Sequence, residues 1–250
     1  MIHSFLLIGQ SNMAGRGDIS EAPEMNTSHI KLLRNGLWQS MYRPVNPDMA
    51  ASGFCLAESF AEAYAAKYQV DVGLICCAYG GTTLDQWQPG SLLFDNAVYQ
   101  ARLAQRTSTI AGVLWHQGES DCSDALSSTY AQRFLPVMES FRKELGLYDV
   151  PFLVGGLGDY LSNYSPVLGR NYPIINQALA QLAADHPMTG FVSAEGLGPK
   201  KGDNLHFNTT ALYEFGLRYF DAFEKLRDPN KVFEEKPHPD NALRTELELL

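Results

Sequence analysis

Two polar segments near opposite ends of the chain carry the side chains that nucleophilic acyl transfer requires. Ser11 follows an apolar run, Phe5 to Ile8, and His206 comes three residues after Asp203. At that spacing a carboxylate can hold one nitrogen of the imidazole while the other takes a proton from a hydroxyl, as a general base does for a serine nucleophile. Each segment also has a plainer explanation, because Ser11 could cap a short helix and Asp203 could form a turn that leaves His206 on the surface.

A pair of glycines supplies candidate donors for an oxyanion. Gly80 and Gly81 follow the apolar run Val70 to Cys76. Glycines let the backbone approach a ligand closely and present N–H groups to it. A glycine pair is also common in ordinary loops. Only its place at the end of a predicted strand therefore favours a role in oxyanion binding.

The segment from Trp115 to Asp121 places an imidazole, an amide and two carboxylates directly after another apolar run. Such groups must be hydrogen-bonded or hydrated, so the segment is either part of a site or a loop held by its own side chains. Its histidine, His116, is the alternative to His206 as general base. We favour His206, because His116 adjoins a bulky strand residue and has no acid three residues before it.

A mixed metal site would be another use of these polar side chains, with Asp203, His206, His116 and Glu119 as ligands. The sequence has no HExxH pattern and no close pair of histidines. We therefore predict no metal and no other cofactor.

Apolar runs that alternate with segments of helical period determine the predicted fold. Continuous hydrophobicity is typical of strands buried on both faces of a parallel sheet. Strands alternating with helices predict right-handed crossovers and a three-layer α/β/α sandwich, in which ligands bind at the carboxyl ends of the strands. The predicted strands are Ser4 to Ile8, Val70 to Cys76, Ile110 to Trp115, Phe152 to Gly155 and Gly190 to Ala194. The predicted helices are Cys55 to Tyr68, Leu92 to Gln105, Tyr130 to Glu144, Ile174 to Asp185 and Thr210 to Leu226.

A single domain, residues 1–227, contains all of these elements. Residues 228–250 form a predicted C-terminal extension that is rich in proline and glutamate in its first half. The end of this extension, Leu243 to Leu250, could pack on the body of the protein or on another subunit, so the sequence leaves a homo-oligomer open.

Composition limits the partners of the chain. A net charge of −9 with scattered basic residues argues against a nucleic-acid partner. No apolar run approaches the roughly 18 residues of a membrane span, so no membrane partner is predicted. The N-terminus lacks a signal-peptide pattern, and a chain that starts at Met1 is expected to be cytoplasmic; a secreted protein without its leader would look the same. The four cysteines lack CxxC spacing and are predicted to be reduced.

Taken together, the polar segments resemble the SGNH-hydrolase (GDSL-type) superfamily, and within it the branch of sialic-acid O-acetylesterases and acetylxylan esterases. The resemblance covers most of the chain, and its first and third blocks are the most specific. It implies a flavodoxin-like sandwich of about five parallel strands. The matching blocks are Gly9 to Met13, Gly80 to Thr82, Trp115 to Asp121 and Asp203 to Phe207.

The resemblance implies a role for each matching position. Ser11 would be the nucleophile, His206 the base and Asp203 the acid that orients it. The Ser11 N–H, a glycine N–H and the Gln117 side chain would bind the oxyanion. The glycine would be Gly81 or Gly80, and Gln10 and Glu119 are further candidates for oxyanion or substrate binding.

Three positions depart from the family pattern or leave a choice open. The wider superfamily has Asn where Gln117 stands, although glutamine is usual in this branch. Asn204 stands where glycine is more familiar, and because asparagine tolerates left-handed backbone we expect the turn to survive. Glu119 is the alternative to Asp203 as the acid partner of His206.

The expected function is a serine esterase that removes acetyl groups from a small carbohydrate, such as an acetylated xylo-oligosaccharide or O-acetyl sialic acid. Trp87, which follows the glycine pair, could stack on a sugar ring or anchor its loop, and Tyr160 and Tyr164 are further candidates for stacking. Two alternatives stay open. One is an esterase, thioesterase or lysophospholipase of the same fold that acts on a non-sugar ester, and the other is a non-catalytic carbohydrate-binding protein.

Overall fold

A computed structural model, which describes residues 1–231 and 233, has a seven-stranded sheet at its centre. The strands are β1 Ile2–Gly9, β2 Ile30–Arg34, β3 Leu37–Ser40, β4 Asp71–Cys76, β5 Thr109–His116, β6 Phe152–Gly155 and β7 Thr189–Val192. Their order across the sheet is β3-β2-β4-β1-β5-β6-β7, and only the edge pair β2 and β3 is antiparallel. The predicted parallel α/β architecture is therefore confirmed.

The five strands predicted from the sequence all occur, as β1, β4, β5, β6 and β7. Counted alone, they lie in the order 2-1-3-4-5, which is the flavodoxin-like order. Strands β2 and β3, which extend the sheet at one edge as a hairpin, were not predicted. Asn35 and Gly36, with φ of 52° and 78°, form its two-residue turn, and an Asn-Gly pair between short apolar segments is a strong hairpin signal.

Eight α-helices are found in the described part of the chain. They are α1 Ser11–Ala14, α2 Leu56–Tyr68, α3 Leu92–Ala104, α4 Asp124–Ser127, α5 Tyr130–Leu145, α6 Leu161–Tyr164, α7 Pro166–Asp185 and α8 Thr209–Leu226. On one face of the sheet α2 packs against α8, and on the other α5 packs between α3 and α7, which gives the predicted three layers. No helix of the described residues is long and apolar enough to cross a membrane.

One helix differs clearly from its predicted bounds. The structure starts α7 at Pro166, eight positions before the predicted start at Ile174. The Ser165 hydroxyl accepts a hydrogen bond from the Leu168 N–H and caps the first turn, where Pro166 is well tolerated. Pro173 then lies inside the helix, although a proline there removes one backbone hydrogen bond, so the expectation of a start behind it was wrong.

Helix α8 ends at Leu226, and the C-terminal extension predicted from residue 228 lies almost entirely outside the described residues. All four cysteines are free. Cys55 serves the fold directly, since its thiol donates to the carbonyl of Met13 at 2.9 Å and ties α2 to the turn after β1.

The carboxyl ends of β1 and β5 approach each other closely enough to require a glycine. Gly9 has a φ of +127°, and a Cβ built there would lie 2.1 Å from the carbonyl oxygen of His116. The next N–H, that of Gln10, donates to the same oxygen at 2.8 Å. Gly9 therefore lets the chain leave the sheet with Ser11 directly beside the loop that follows β5.

Gly9→Ala is expected to lower the free energy of unfolding by at least about 2 kcal/mol more than Gly146→Ala, because backbone atoms cannot yield to the added methyl. Gly146 is the matched control, since its φ is also positive (+68°) but no atom lies within 4 Å of a Cβ built there. Urea unfolding of both variants measures the difference. Equal losses would show that only the backbone conformation, and not the contact with His116, requires glycine at position 9.

Candidate active site

Ser11, His206 and Asp203 form a hydrogen-bonded line above the carboxyl ends of β1 and β5. The Ser11 Oγ lies 3.0 Å from the Nε2 of His206, and the His206 Nδ1 lies 2.7 Å from the Oδ2 of Asp203. The structure thus brings together three side chains from segments that are up to 195 residues apart. Asp203, and not Glu119, is the carboxylate in contact with His206.

The helix-cap explanation of Ser11 is wrong. Gln10 occupies the N-cap position of α1, and Ser11 is the first helical residue. The Ser11 hydroxyl makes its contact with the imidazole of His206 instead. A serine directed away from its own helix and towards an imidazole is placed for proton transfer, which helix capping would not require.

The turn before α8 holds His206 in place through Asp203. The second carboxylate oxygen, Oδ1, accepts hydrogen bonds from the N–H groups of Leu205 at 2.9 Å and of His206 at 3.1 Å. Asn204 sits in the left-handed region with a φ of 55°, so asparagine does replace the familiar glycine of this turn. The turn predicted as the plainer explanation does form, but the His206 ring also contacts Ser11 and Asp203, which excludes the alternative in which His206 lies unused on the surface.

Asp203 carries a negative charge at neutral pH. Burial acts to raise the pKa of Asp203, but the hydrogen bonds from the His206 ring and the Leu205 N–H outweigh it and hold that pKa below its ordinary value. An ionised carboxylate can only accept hydrogen bonds, so the His206 Nδ1 must carry the proton. The Nε2 atom is then free to accept the hydroxyl proton of Ser11.

Of the two glycines, only Gly81 keeps its N–H group available. The Gly80 N–H donates to the Oδ2 of Asp48 at 2.8 Å, so Gly80 is committed to the protein itself. Gly81 has a φ of +74°, and no atom lies within 4 Å of a Cβ built there, which leaves the space above it open. The structure therefore favours Gly81 over Gly80 as an oxyanion donor.

The loop with Gly80 is held by a buried ion pair that the sequence analysis did not detect. Asp48 and Arg16 make two parallel hydrogen bonds, at 3.0 and 2.7 Å, and their side chains are 1% and 4% exposed. Ser52 also donates to Asp48 at 2.7 Å. Arg16 and Asp48 carry no local motif, because they are 32 residues apart and are brought together only by the fold.

Gln117 is not brought into the cleft. Its side chain is fully buried, and its Nε2 donates to the Oδ2 of Asp121 at 2.7 Å and to the carbonyl of Thr82 at 3.0 Å. Its Oε1 accepts from the hydroxyl of Tyr130 at 2.9 Å. Both amide protons are thus used within the protein, and the geometry makes Gln117 a link between the loops that follow β4 and β5.

Gln10 also acts inside the protein, although it reaches the cleft surface. Its Oε1 accepts weak hydrogen bonds from the N–H groups of Gly118 at 3.4 Å and Ser120 at 3.3 Å, and lies 3.2 Å from the Nε2 of Gln117. These bonds fasten the turn after β1 to the loop after β5. Gln10 therefore supports the position of Ser11, its neighbour in the turn, through the loop that follows β5.

His116 and Glu119 form a pair separate from His206. The His116 ring is fully buried and packs edge-on against Phe207 and Phe215, and its Nε2 lies 3.2 Å from the Oε1 of Glu119. Burial acts to raise the pKa of Glu119, but the neighbouring His116 and the hydrogen bond from Asn12 hold that pKa below its ordinary value. His116 has no access to Ser11, so its predicted alternative role as general base was wrong.

Trp87 does not line the cleft. Its side chain is fully buried, its indole nitrogen donates to the hydroxyl of Thr82 at 3.0 Å, and its ring packs edge-on against Trp115 with centroids 5.6 Å apart. The prediction that Trp87 stacks on a sugar was therefore wrong, because the indole anchors the loop after the glycine pair. Tyr160 is also buried, whereas Tyr164 is 47% exposed and lines the cleft.

The cleft over these residues has a volume of about 450 Å³. Polar side chains, among them Ser11, Glu119 and His206, line it together with the apolar side chains of Met49, Leu168 and Leu205 and with Tyr164 and Lys200. Among the described residues, no group of three or more histidine, cysteine, aspartate or glutamate side chains could hold a metal ion. The chemistry that this arrangement can perform is nucleophilic attack by the Ser11 hydroxyl on a small ligand in the cleft.

Asp48→Asn is expected to cost about 3–5 kcal/mol of stability at pH 7, because it leaves the buried guanidinium of Arg16 without its counter-charge. Burial acts to raise the pKa of Asp48, but hydrogen bonds from Arg16, Ser52 and Gly80 hold it below its ordinary value. The ionised form therefore adds stability that is complete above the unfolded-state pKa of about 3.9 and is lost as pH falls through the lower folded-state pKa.

The difference in unfolding free energy between wild type and Asp48→Asn should consequently shrink between pH 7 and pH 3. Urea unfolding at both pH values measures it. Asp221→Asn, on the exposed side of α8, is the control and should show little difference at either pH. A gap between wild type and Asp48→Asn that is as wide at pH 3 as at pH 7 would contradict the lowered pKa.

Comparison with known proteins identifies the family of the chain. A family model described as carbohydrate esterase, sialic acid-specific acetylesterase, matches residues 1–225. A probable carbohydrate esterase of Arabidopsis thaliana is 29% identical over an alignment of 245 positions, gaps included, which covers 88% of this chain and 89% of that protein.

Solved structures share the fold. A protein from Arabidopsis thaliana superposes with a TM-score of 0.79 at 27% identity, covering 89% of this chain and 98% of that one. A carbohydrate acetylesterase from Xanthomonas citri superposes with a TM-score of 0.67 at 19% identity, covering 90% of this chain and 56% of that one. Because the family model spans most of the sequence, the chain belongs to the carbohydrate esterase family of sialic acid-specific acetylesterases and is an ester hydrolase.

Proposed function

We propose that this protein removes acetyl groups from a small carbohydrate through a covalent acetyl-enzyme on Ser11. The observation that carries the proposal is the hydrogen-bonded line from Ser11 through His206 to Asp203 at the base of the cleft. A binding protein would need none of these contacts, whereas a serine esterase needs all of them.

In the first step, the Ser11 oxygen attacks the ester carbonyl while the Nε2 of His206 takes the hydroxyl proton. The negative charge that develops on the carbonyl oxygen is held by N–H groups, for which Ser11 and Gly81 are the candidates in the cleft. The intermediate collapses when the bond to the sugar oxygen breaks and His206 returns the proton to that oxygen. The products of this step are the free sugar hydroxyl and acetyl-Ser11.

In the second step, water hydrolyses acetyl-Ser11. His206 takes a proton from the water as it attacks the acetyl carbonyl, and returns it to the serine oxygen as acetate leaves. The ionised Asp203 holds the Nδ1 proton throughout, so that the ring stays in the tautomer that accepts at Nε2. Its negative charge also stabilises the imidazolium that exists in each step.

The substrate class rests on the cleft and on the family. A cleft of about 450 Å³ that is lined by both polar and apolar side chains suits a ligand of sugar size. Tyr164, exposed at its rim, offers an aromatic face to a sugar ring. We infer an acetylated xylo-oligosaccharide or an O-acetyl sialic acid as the substrate, in keeping with the family model.

Ser11→Ala is expected to lower kcat for acetate release by about 10⁴-fold or more, because the variant lacks the hydroxyl that attacks the ester. Asp203→Asn should lower kcat by about 10²- to 10⁴-fold, since the amide can fix the imidazole in the wrong tautomer. Acetate release from an acetylated sugar measures both. Ser128→Ala, an exposed serine outside the cleft, is the control. Full activity of Ser11→Ala would show that Ser11 is not the nucleophile.

A substrate panel separates the sugar esters from other esters. Acetylated xylo-oligosaccharides and O-acetyl sialic acid are compared with acyl chains of increasing length on the same leaving group, and kcat/KM is measured for each. We expect an acetylated sugar to be the best substrate and activity to fall with chain length. A preference for long acyl chains or thioesters would contradict the proposed carbohydrate substrate but not the hydrolase activity.

A further inference from the structure

Asn12 joins the nucleophile turn to the peptide bonds on both sides of His206. Its side chain is 1% exposed and follows Ser11 directly. The Oδ1 accepts a hydrogen bond from the N–H of Phe207 at 3.1 Å, and the Nδ2 lies 3.4 Å from the carbonyl oxygen of Leu205. The side-chain amide of Asn12, the residue after Ser11, thus contacts both Leu205 and Phe207, the residues on either side of His206.

Glu119 fixes which way the Asn12 amide faces. Its Oε1 accepts from the Asn12 Nδ2 at 2.5 Å, and the Nε2 of His116 lies 3.2 Å from the same oxygen. An ionised carboxylate only accepts hydrogen bonds, so the amide must turn its nitrogen towards Glu119 and its oxygen towards the Phe207 N–H. The lowered pKa of Glu119 keeps that preference in force at neutral pH.

The two segments that Asn12 connects come from distant elements and have few other ties. Ser11 follows β1, whereas His206 lies in the turn between β7 and α8. Besides the Ser11–His206 contact itself, a Lys200 Nζ bond to the carbonyl of Arg16 at 2.9 Å also links these regions, further from the reacting atoms. The Asn12 bonds are therefore the nearest fixed link between the hydroxyl and the imidazole.

We propose that Asn12 is a positioning residue that sets the Ser11–His206 geometry, and that Glu119 positions the Asn12 amide. The catalytic consequence rests on the proposed function. Displacement of a reacting group by about 1 Å can cost 10²-fold in rate. Loss of the Asn12 side chain removes the hydrogen bonds that hold the segment around His206 close to Ser11. The effect should appear in kcat, because neither amide atom contacts the cleft ligand in this scheme.

The first test is Asn12→Ala. We expect kcat for acetate release to fall by about 10- to 100-fold while KM changes less than about threefold. Asn171→Ala is the matched control, since Asn171 is an equally buried, hydrogen-bonded amide on α7 outside the cleft. It should lower the melting temperature without changing kcat. Equal effects of both variants on kcat would overturn the positioning role.

The second test reverses the amide and the carboxylate. Asn12→Asp places two carboxylates against each other and should lower kcat about as far as Asn12→Ala does. In the double variant Asn12→Asp with Glu119→Gln, the amide introduced at position 119 can donate to the carboxylate introduced at position 12, which still accepts from the Phe207 N–H. We expect the double variant to recover at least about tenfold of the lost kcat, the size of coupling that contacting residues show. No recovery in a folded double variant would overturn the proposal.

Labelling of Ser11 by a fluorophosphonate tests the role of Asn12 independently of the substrate. The reaction requires the hydroxyl and the imidazole but no sugar ester, so it ranks the same variants even if wild type releases no acetate from any acetylated sugar. That failure would end the proposed function alone. A labelling rate for Asn12→Ala equal to that of wild type would end the positioning proposal alone.

Discussion

The contact between the Ser11 hydroxyl and the His206 ring is the interaction on which the rest of the site depends. It joins residues 195 positions apart, so no local structure can form it. It exists because β1 and β7 are parallel strands of one sheet whose carboxyl ends face the same way. The other contacts of the site hold one or the other end of this bond at a fixed distance from the sheet.

Each of the four residues Gly9 to Asn12 contributes to the position of the Ser11 hydroxyl. Gly9 allows β1 to leave the sheet against the backbone of His116. Gln10 then accepts from the loop after β5, and Asn12, on the other side of the serine, binds the residues that flank His206. Ser11 is held from both sides by amides, so its hydroxyl is preorganised before any ligand enters.

Local patterns were sufficient to predict the residues whose role is local. The turn from Asp203 to His206 forms within four residues, and the apolar runs of β1, β4, β5 and β6 are buried over almost their whole length. Gln117 and Trp87 could not be placed in this way, because each also depends on a partner that is distant in sequence. Gln117 donates to the Thr82 carbonyl, and Trp87 packs on Trp115, only after the loops have packed. The sequence shows which residues are polar or aromatic but not which of them face inward. The hairpin of β2 and β3 is a different case, since its Asn-Gly turn was visible in the sequence.

Ionised carboxylates beneath the cleft explain why so many of its polar residues are already paired. Asp48, Glu119 and Asp203 each have a pKa held below the ordinary value against the effect of burial. Each can stay charged only because donors converge on it, and those donors are backbone or side-chain groups of the loops that shape the cleft. Fixing the charges therefore fixes the loops. A site built in this way presents few free donors to a ligand, and the N–H groups of Ser11 and Gly81 stand out because they are not used to hold a carboxylate.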